Sequence, residues 1–161
     1  MHLVFLSLGS NLGHRKANIR KAIGFLNLLP GRILEISSLY ETEPWGCSPS
    51  LNFYNQVVKL STSLSPEELL EQLHQIELRC GRVPSAQQYA PRKMDLDILL
   101  FEDRIIESEG LKIPHPLLPD RKFVLVPLDE IAPDVLHPLL NKSIHQLLEE
   151  CRDLKQVLKT G

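Results

Sequence analysis

Cysteine is scarce in this sequence, and the three residues present, Cys47, Cys80 and Cys151, are widely scattered. There is no Cys-x-x-Cys pair, and no cysteine–histidine spacing is typical of a zinc site. Three unpaired thiols are typical of a protein that stays in a reducing compartment, so we expect free cysteines and a cytoplasmic location. The pattern argues against a disulfide-stabilised secreted domain and against a structural zinc domain.

Long apolar runs and a strong charge of either sign are also lacking. No run approaches the roughly 20 apolar residues of a membrane span, and the apolar start over 3–8 lacks the basic segment that opens a signal peptide. The formal net charge is only −2, so the overall charge does not indicate a nucleic acid or an anionic membrane as partner. The chain has 161 residues, 43% of them hydrophobic, which is enough for a single domain, 1–161, with its own core.

Strands and helices alternate along the first hundred residues. Apolar runs with β-branched residues predict four strands, at 3–8, 33–40, 54–63 and 94–101. Apolar residues at helical spacing predict two helices between them, one ending at Pro30-Gly31 and one starting at the capping box Ser65-Pro66-Glu67-Glu68. The order is that of an α+β fold with a ferredoxin-like βαββαβ core sheet and its helices on one face. We expect the C-terminal elements to cover the other face.

The C-terminal third is predicted to be less regular. A turn after residue 101 leads to a hairpin partner of the fourth strand at 104–106, and a short buried segment at 124–126 ends at Pro127. A second capping box starts at Ser143, and apolar residues at helical spacing from Ile144 to Leu158 predict a closing amphipathic helix. Two long polar loops are predicted at 41–53 and 82–90.

Asp95 and Asp97 are the clearest chemical signal in the sequence. They stand two apart before the apolar run 98–101, so in a strand both carboxylates lie on one face, with Cα atoms about 6.5 Å apart. Two such carboxylates repel each other unless a cation or a proton lies between them. Mg²⁺ suits this gap when phosphates complete its shell, and Arg92 lies just upstream. Two solvated aspartates on an open strand face are the alternative, but aspartate is depleted in central strands, which favours a site.

The segment from Pro91 to Leu99, with Arg92 and the two aspartates, resembles the signature of the 6-hydroxymethyl-7,8-dihydropterin pyrophosphokinases. Further segments resemble this family in the same order along the chain, namely 9–12, 38–46, 53–55, 76–78, 81–82, 113–115 and 121–128. The resemblance covers residues from about 3 to 150. It implies a ferredoxin-like α/β fold and transfer of a diphosphate from ATP to the hydroxymethyl group of a dihydropterin. That reaction releases AMP and belongs to folate biosynthesis.

The resemblance also implies roles for individual residues. Two Mg²⁺ ions, about 3.5–4 Å apart in two-metal sites, would be held by Asp95 and Asp97; the general base stays open. Catalysis is expected to depend on Arg82, Arg92, Asp95 and Asp97. ATP is expected to contact Glu77, Arg82, Arg92, Ile98, His115 and Arg121. The pterin is expected to contact Thr42, Pro44, Trp45, Phe53, Asn55, Tyr89, Asp95 and Phe123.

The expected partners are small molecules. A pterin is flat and edged with donors and acceptors, so it needs stacking on its faces, for which Phe53 and Phe123 resemble the family's pair, and hydrogen bonds around its rim. ATP and the dihydropterin are the expected partners, without nucleic acid or membrane, and the protein is expected to be a monomer. Several positions depart from the usual family pattern, so we expect activity with shifted affinities; they are Phe53, Pro84, Gln88, Tyr89 and Pro116.

Two interpretations from other classes compete with this one. Gly9-Ser10 followed by Asp-x-Asp is typical of nucleotidyltransferases, but there the two motifs lie close together, and here about eighty residues separate them. A non-catalytic ferredoxin-like binding module would not need Asp95 and Asp97, and an RNA-binding module would show a basic face with exposed aromatics. Gly9-Ser10-Asn11 itself fits either a simple turn or a functional loop, because it lacks the lysine of a P-loop.

Overall fold

The computed structural model of the protein describes residues 1–28, 31–43, 52–81 and 93–160. Its strands, in chain order, are β1 (His2–Ser10), β2 (Arg32–Ile36), β3 (Tyr40–Thr42), β4 (Phe53–Thr62), β5 (Asp95–Phe101), β6 (Ile106–Ser108), β7 (Leu111–Ile113) and β8 (Val157–Lys159). Its helices are α1 (Arg15–Leu26), α2 (Pro66–Arg79), α3 (Lys122–Ile131) and α4 (Ile144–Glu150), with a 3₁₀ turn at Leu118–Asp120. The described part is therefore a mixed α and β structure, as predicted.

Six of the strands form one antiparallel sheet. Its order is β5-β1-β4-β3-β8, and β2 pairs with β4 beside β3. The predicted strand at 33–40 is thus two strands, β2 and β3, which pair with opposite ends of β4. Gly9 and Ser10 lie inside β1, so the interpretation of these two residues as a turn is wrong.

Strands β1, β4 and β5 of the sheet are largely buried, and alternate residues of each strand point to opposite faces. Leu6 and Leu8 of β1 pack with α1 and α2 in one apolar cluster. Phe5 of β1 packs with α3 and α4 in a second cluster on the other face. The two clusters hold the four helices in two layers around the sheet.

Strand β5 lies at an edge of the described sheet, so the prediction of a central strand at 94–101 is wrong in that respect. Its apolar run is explained by burial on both faces, with Ile98 in the first cluster and Leu99 in the second. The outer edge is also partly covered. The N–H of His115 donates to the carbonyl of Leu99 at 3.0 Å, and the predicted hairpin partner at 104–106 is wrong because β6 pairs with β7 instead.

Both predicted capping boxes are confirmed. The Ser65 hydroxyl accepts the Glu68 N–H at 3.2 Å, and the Glu68 carboxylate accepts the Ser65 N–H at 2.9 Å. At α4, Ser143 and Gln146 make the same reciprocal pair, at 3.1 and 3.3 Å. Each pair satisfies two backbone donors that the helix itself leaves without partners.

The C-terminal predictions need two corrections. The segment 124–126 is part of helix α3, which continues through Pro127; burial of Val124, Leu125 and Leu128 outweighs the single hydrogen bond that proline removes. The closing helix predicted to reach Leu158 ends at Glu150, and Val157–Lys159 forms strand β8, which pairs with β3. The apolar spacing did not indicate a buried helix face here, since Leu154 is 95% exposed.

Two remaining expectations concern thiols and membranes. Cys80 and Cys151 are free thiols, as predicted, whereas Cys47 lies outside the described residues. Among the helices that the structure describes, none is both long and apolar enough to span a bilayer.

Candidate active site

A cavity of about 520 Å³ opens between the sheet and the N-terminal end of α3. Strand pairing determines which side chains form the floor of the cavity, because residues directly opposite each other in an antiparallel pair lie on the same side of the sheet. Asp97 lies opposite Ser7, and Asp95 lies opposite Gly9. The next strand brings Asn55 opposite Gly9. One row of side chains thus crosses the sheet from β5 towards β4.

Strand β3 extends this row to a further wall. Thr42 pairs with Phe53 in register, and the Asn55 amide donates to the Thr42 hydroxyl at 2.6 Å. Thr42 is 2% exposed and Asn55 3% exposed, so this polar pair is buried at the bottom of the cavity. Because buried polar groups must be hydrogen-bonded, the pair fixes the position of the Asn55 side chain.

Gly9 is required by close approach of the neighbouring strand. A Cβ at this position would lie 2.9 Å from Oδ1 of Asn55 and 3.5 Å from Cδ1 of Phe53. The backbone of Gly9 has no positive φ, so space, and not conformation, selects glycine here. The absence of a side chain keeps Asn55 and Phe53 directed into the cavity.

Asp95 and Asp97 are half-buried on the same face of β5, as the alternation predicted, and both line the cavity. Within 1–28, 31–43, 52–81 and 93–160, no group of three or more histidine, cysteine or acidic side chains is arranged to hold a metal ion. A cation held by the two aspartates would therefore need further oxygen ligands from a bound substrate or from water. This is the coordination that Mg²⁺ prefers when it binds with phosphates.

The cavity continues beyond Asp95 and Asp97 around the outer edge of β5. Its lining there comes from the opposite face of β5 with Ile98, from α2 with Leu70 and His74, and from the β6–β7 hairpin with Leu111. Since β5 is an edge strand in the described sheet, the two halves join past it. The carboxylates consequently lie where the two halves meet.

Glu77 lies in this outer half and has a structural partner. It is 3% exposed, and its Oε2 accepts the N–H of Leu96 at 2.8 Å. Leu96 stands between the two aspartates, and its N–H would otherwise be unpaired on the edge strand. Glu77 therefore holds β5 in place; the predicted contact of Glu77 with ATP stays a prediction.

His115, Arg121 and Phe123 form the side of the cavity opposite the sheet. The guanidinium of Arg121 lies over the Phe123 ring, 5.5 Å from its centroid. Burial, and secondarily the charge of Arg121, lowers the pKa of His115 to about 4, although Asp95 acts in the opposite direction. Nδ1 of His115 accepts the N–H of Leu117 at 3.1 Å. At neutral pH the ring is therefore uncharged and carries its proton on Nε2.

The depressed pKa of His115 predicts a loss of stability in acid. The unfolded chain binds this proton near pH 6.5 and the folded chain only near pH 4, so the contribution is complete above 6.5 and is lost as the pH falls towards 4. The expected loss is at most about 3 kcal/mol in the free energy of unfolding. Urea unfolding at pH 7 and pH 4.5 measures it.

His115→Asn is the matched control, because its amide oxygen can still accept the Leu117 N–H. The control should lose less stability than wild type over the same pH interval. Burial also lowers the pKa of His137, but that contribution is common to both proteins and cancels. Equal losses in the two proteins would contradict the assignment of His115 as an uncharged buried ring.

Comparison with known proteins identifies the family. Residues 5–133 match the sequence profile described as 7,8-dihydro-6-hydroxymethylpterin-pyrophosphokinase (HPPK). The chain belongs to the HPPK family. It is 42% identical over 150 residues to the 2-amino-4-hydroxy-6-hydroxymethyldihydropteridine pyrophosphokinase of Aquifex aeolicus, covering 93% of this chain and 92% of that protein. The Bacillus subtilis protein of the same name is 42% identical over 135 residues, covering 83% of this chain and 80% of that one.

Longer proteins contain a similar region. The Pneumocystis carinii folic acid synthesis protein fol1 is 43% identical over 157 residues, which are 96% of this chain but 21% of that protein. The crystal structure of a Plasmodium falciparum HPPK-DHPS matches with a TM-score of 0.75 at 19% identity, covering 92% of this chain and 44% of that one. At that identity the structural match concerns the fold. The predicted resemblance is thus confirmed, and so is the prediction of a transferase, a pyrophosphokinase of folate biosynthesis.

Several predicted site residues lie outside the described residues, and their roles stay predictions. They are Arg82, Arg92, Pro44, Trp45 and Tyr89, together with the departing positions Pro84 and Gln88. The other predicted site residues all line the cavity described above, namely Thr42, Phe53, Asn55, Glu77, Asp95, Asp97, Ile98, His115, Arg121 and Phe123.

Sequence reasoning missed several cavity residues. Ser7 carries no motif, and its place opposite Asp97 depends on strand register. His74 and Lys112 line the outer half of the cavity, but each stands alone in the sequence without a chemical signal. Gly9 was predicted to lie in a turn or loop and in a segment that resembles the family, but its close approach to Asn55 depends on strand pairing.

Proposed function

We propose that the two halves of this cavity bind the two substrates of the HPPK reaction. The pterin lies on the β3–β4 side, ATP lies around the edge of β5, and a diphosphate passes from ATP to the pterin hydroxymethyl group, releasing AMP. The observation that carries the proposal is the position of Asp95 and Asp97 where the two halves meet. A reaction that joins two substrates needs its charge-neutralising groups at that point.

The inner half has the chemistry that a pterin requires. Phe53 and Phe123 come from the sheet and from α3 and offer two aromatic faces. The buried Asn55–Thr42 pair lies at the floor, where it can read the donors and acceptors of a ring edge. Flat heteroaromatic ligands are bound by this combination of stacking and a few fixed polar groups.

The outer half suits a nucleotide. Ile98, Leu70 and Leu111 supply apolar surface for a base. His115 and Arg121 line the same cavity, and in this proposal they contact the phosphates, to which Arg121 offers a forked donor and neutral His115 its Nε2–H. Arg82 and Arg92 complete the phosphate contacts in this proposal.

Asp95 and Asp97 fit magnesium, because they provide two oxygen ligands on one half-buried face next to the proposed phosphate position. When bound, Mg²⁺ neutralises phosphate charge and orients the reacting groups. The two carboxylates would hold the ions, and His115 and Arg121 would orient the phosphates. The general base stays open.

Three finer expectations belong to the same proposal. The strand order β5-β1-β4-β2, with α1 and α2 on one face, supports a ferredoxin-like core within a single domain, 1–161. Two soluble small-molecule substrates support a cytoplasmic location. Both halves of the cavity are built by one chain, which is compatible with action as a monomer.

The reaction itself tests this proposal. The purified protein is incubated with 6-hydroxymethyl-7,8-dihydropterin, ATP and Mg²⁺, and AMP and ADP are resolved by chromatography. We expect AMP, formed only when the pterin and the metal are both present. ADP would mean that the terminal phosphorus is attacked, and no nucleotide product from folded protein would support the binding-module interpretation instead.

A further inference from the structure

The first turn of α3 forms part of the proposed pterin pocket, but the residue at its N-cap position does not cap the helix with its side chain. Arg121 occupies the N-cap position, and its side chain makes no capping hydrogen bond. Phe123 and Val124 in the same turn line the cavity together with Arg121. The first N–H groups of a helix have no partner within the helix, so the turn needs one from elsewhere.

Asp153 supplies that partner from the C-terminal segment. Its Oδ2 accepts the N–H of Lys122, the first residue of α3, at 3.1 Å and across 31 positions of sequence. Its Oδ1 accepts the N–H of Lys155 at 3.0 Å. A carboxylate at a helix N-terminus is favourable both as an acceptor and because of the helix dipole. One side chain thus fixes the start of α3 to the chain that follows α4.

That C-terminal chain continues directly to the opposite wall of the pocket. The N–H of Gln156 donates to Oε1 of Glu43 at 3.1 Å, and Val157 pairs with Thr42 in the β8–β3 register. Past β8, the N–H of Thr160 donates to the carbonyl of Leu39 at 2.9 Å. The segment therefore connects the turn that carries Phe123 with the strand that carries Thr42.

We propose that Asp153 is a positioning residue for the pterin, holding the Phe123 turn at a fixed separation from the Thr42 wall. The inference rests on the proposed location of the pterin between these walls. Asp153 does not touch the pterin; it acts through the helix start and the C-terminal segment. Without its carboxylate the first turn of α3 is released, and the pocket is in its binding geometry for a smaller fraction of the time.

The test compares Asp153→Ala with Ser143→Ala, which removes a side-chain cap at α4, outside the cavity lining. Both variants should lower the melting temperature. Only Asp153→Ala should raise the KM for the pterin, by about three- to tenfold, with kcat within about twofold of wild type, because the cost of a lost cap reduces the competent fraction. Asp153→Asn keeps one carbonyl acceptor and should give an intermediate pterin KM.

Phe123→Ala, measured in parallel, distinguishes a wrong role for Asp153 from a wrong location for the pterin. If Phe123→Ala raises the pterin KM and neither Asp153 variant does, Asp153 is only a helix cap and the inference is wrong. If Phe123→Ala also leaves the pterin KM unchanged, the proposed pterin location is wrong, and the inference about Asp153 is then wrong as well. If Asp153→Ala does not fold, Asp153→Asn decides the question, since its shape is that of aspartate.

Discussion

Asp97→Asn is expected to lower the rate of AMP formation by about a thousandfold or more, because the proposed metal ligand would lose its charge and with it several kcal/mol of transition-state stabilisation. Asparagine keeps the shape of the side chain and one oxygen but removes the negative charge. Asp97 is half-buried beside Asp95 on the same face of β5, and the amide fills the same space as the carboxylate. The variant is therefore expected to fold like the wild type.

The matched control for this prediction is Asp103→Asn. Asp103 is exposed in the turn after β5, so the variant carries the same change of charge near the same strand but away from the cavity. Its rate should equal that of wild type. A requirement for more Mg²⁺ in Asp97→Asn would agree with a metal-binding role, whereas an unchanged rate at limiting Mg²⁺ would exclude that role for Asp97.

Gly9→Ala is expected to raise the KM for the pterin by about ten- to a hundredfold, the equivalent of about 1–3 kcal/mol of overpacking. The new methyl group would lie 2.9 Å from Oδ1 of Asn55. Asn55 cannot simply move away, because its amide is held by the Thr42 hydroxyl at 2.6 Å. The collision therefore displaces a group at the floor of the proposed pterin pocket. The KM for ATP should change little, since the proposed nucleotide half lies beyond β5.

Gly24→Ala is the control for adding a methyl group at a glycine. Gly24 lies in α1, and a Cβ there would meet nothing within 4 Å. Alanine is favoured over glycine in a helix by up to about 1 kcal/mol, so this variant should be slightly more stable and kinetically normal. If Gly9→Ala had a wild-type pterin KM, Asn55 and its neighbours would not form the pterin floor.

Local chemistry explains what could be predicted from the sequence. A capping box needs only residues three apart, so the starts of α2 and α4 were predictable from Ser65 and Ser143. Strand alternation is equally local, and the spacing of Asp95 and Asp97 is sufficient to predict that they share one face. The family resemblance then brought together residues that local patterns cannot relate, such as Asn55 and His115.

Contacts between distant positions account for what the sequence did not predict. The C-terminal segment was predicted to be helical because its leucines follow a helical spacing. The partners that hold it extended are remote, since Gln156 bonds Glu43 across 113 positions and Asp153 bonds Lys122 across 31. The edge position of β5 depends likewise on the whole strand order. Because β5 lies at the edge, the cavity can continue around that strand, and this continuation is the proposed nucleotide half.

The most direct measurement is a crystal structure of the protein with the pterin, a non-hydrolysable ATP analogue and Mn²⁺ in place of Mg²⁺. Anomalous scattering locates the metal independently of the interpretation of the ligands. We expect metal between the carboxylates of Asp95 and Asp97 and the analogue's phosphates, with the pterin between Phe53 and Phe123. Metal bound away from Asp95 and Asp97, or a pterin outside the inner half of the cavity, would contradict this expectation.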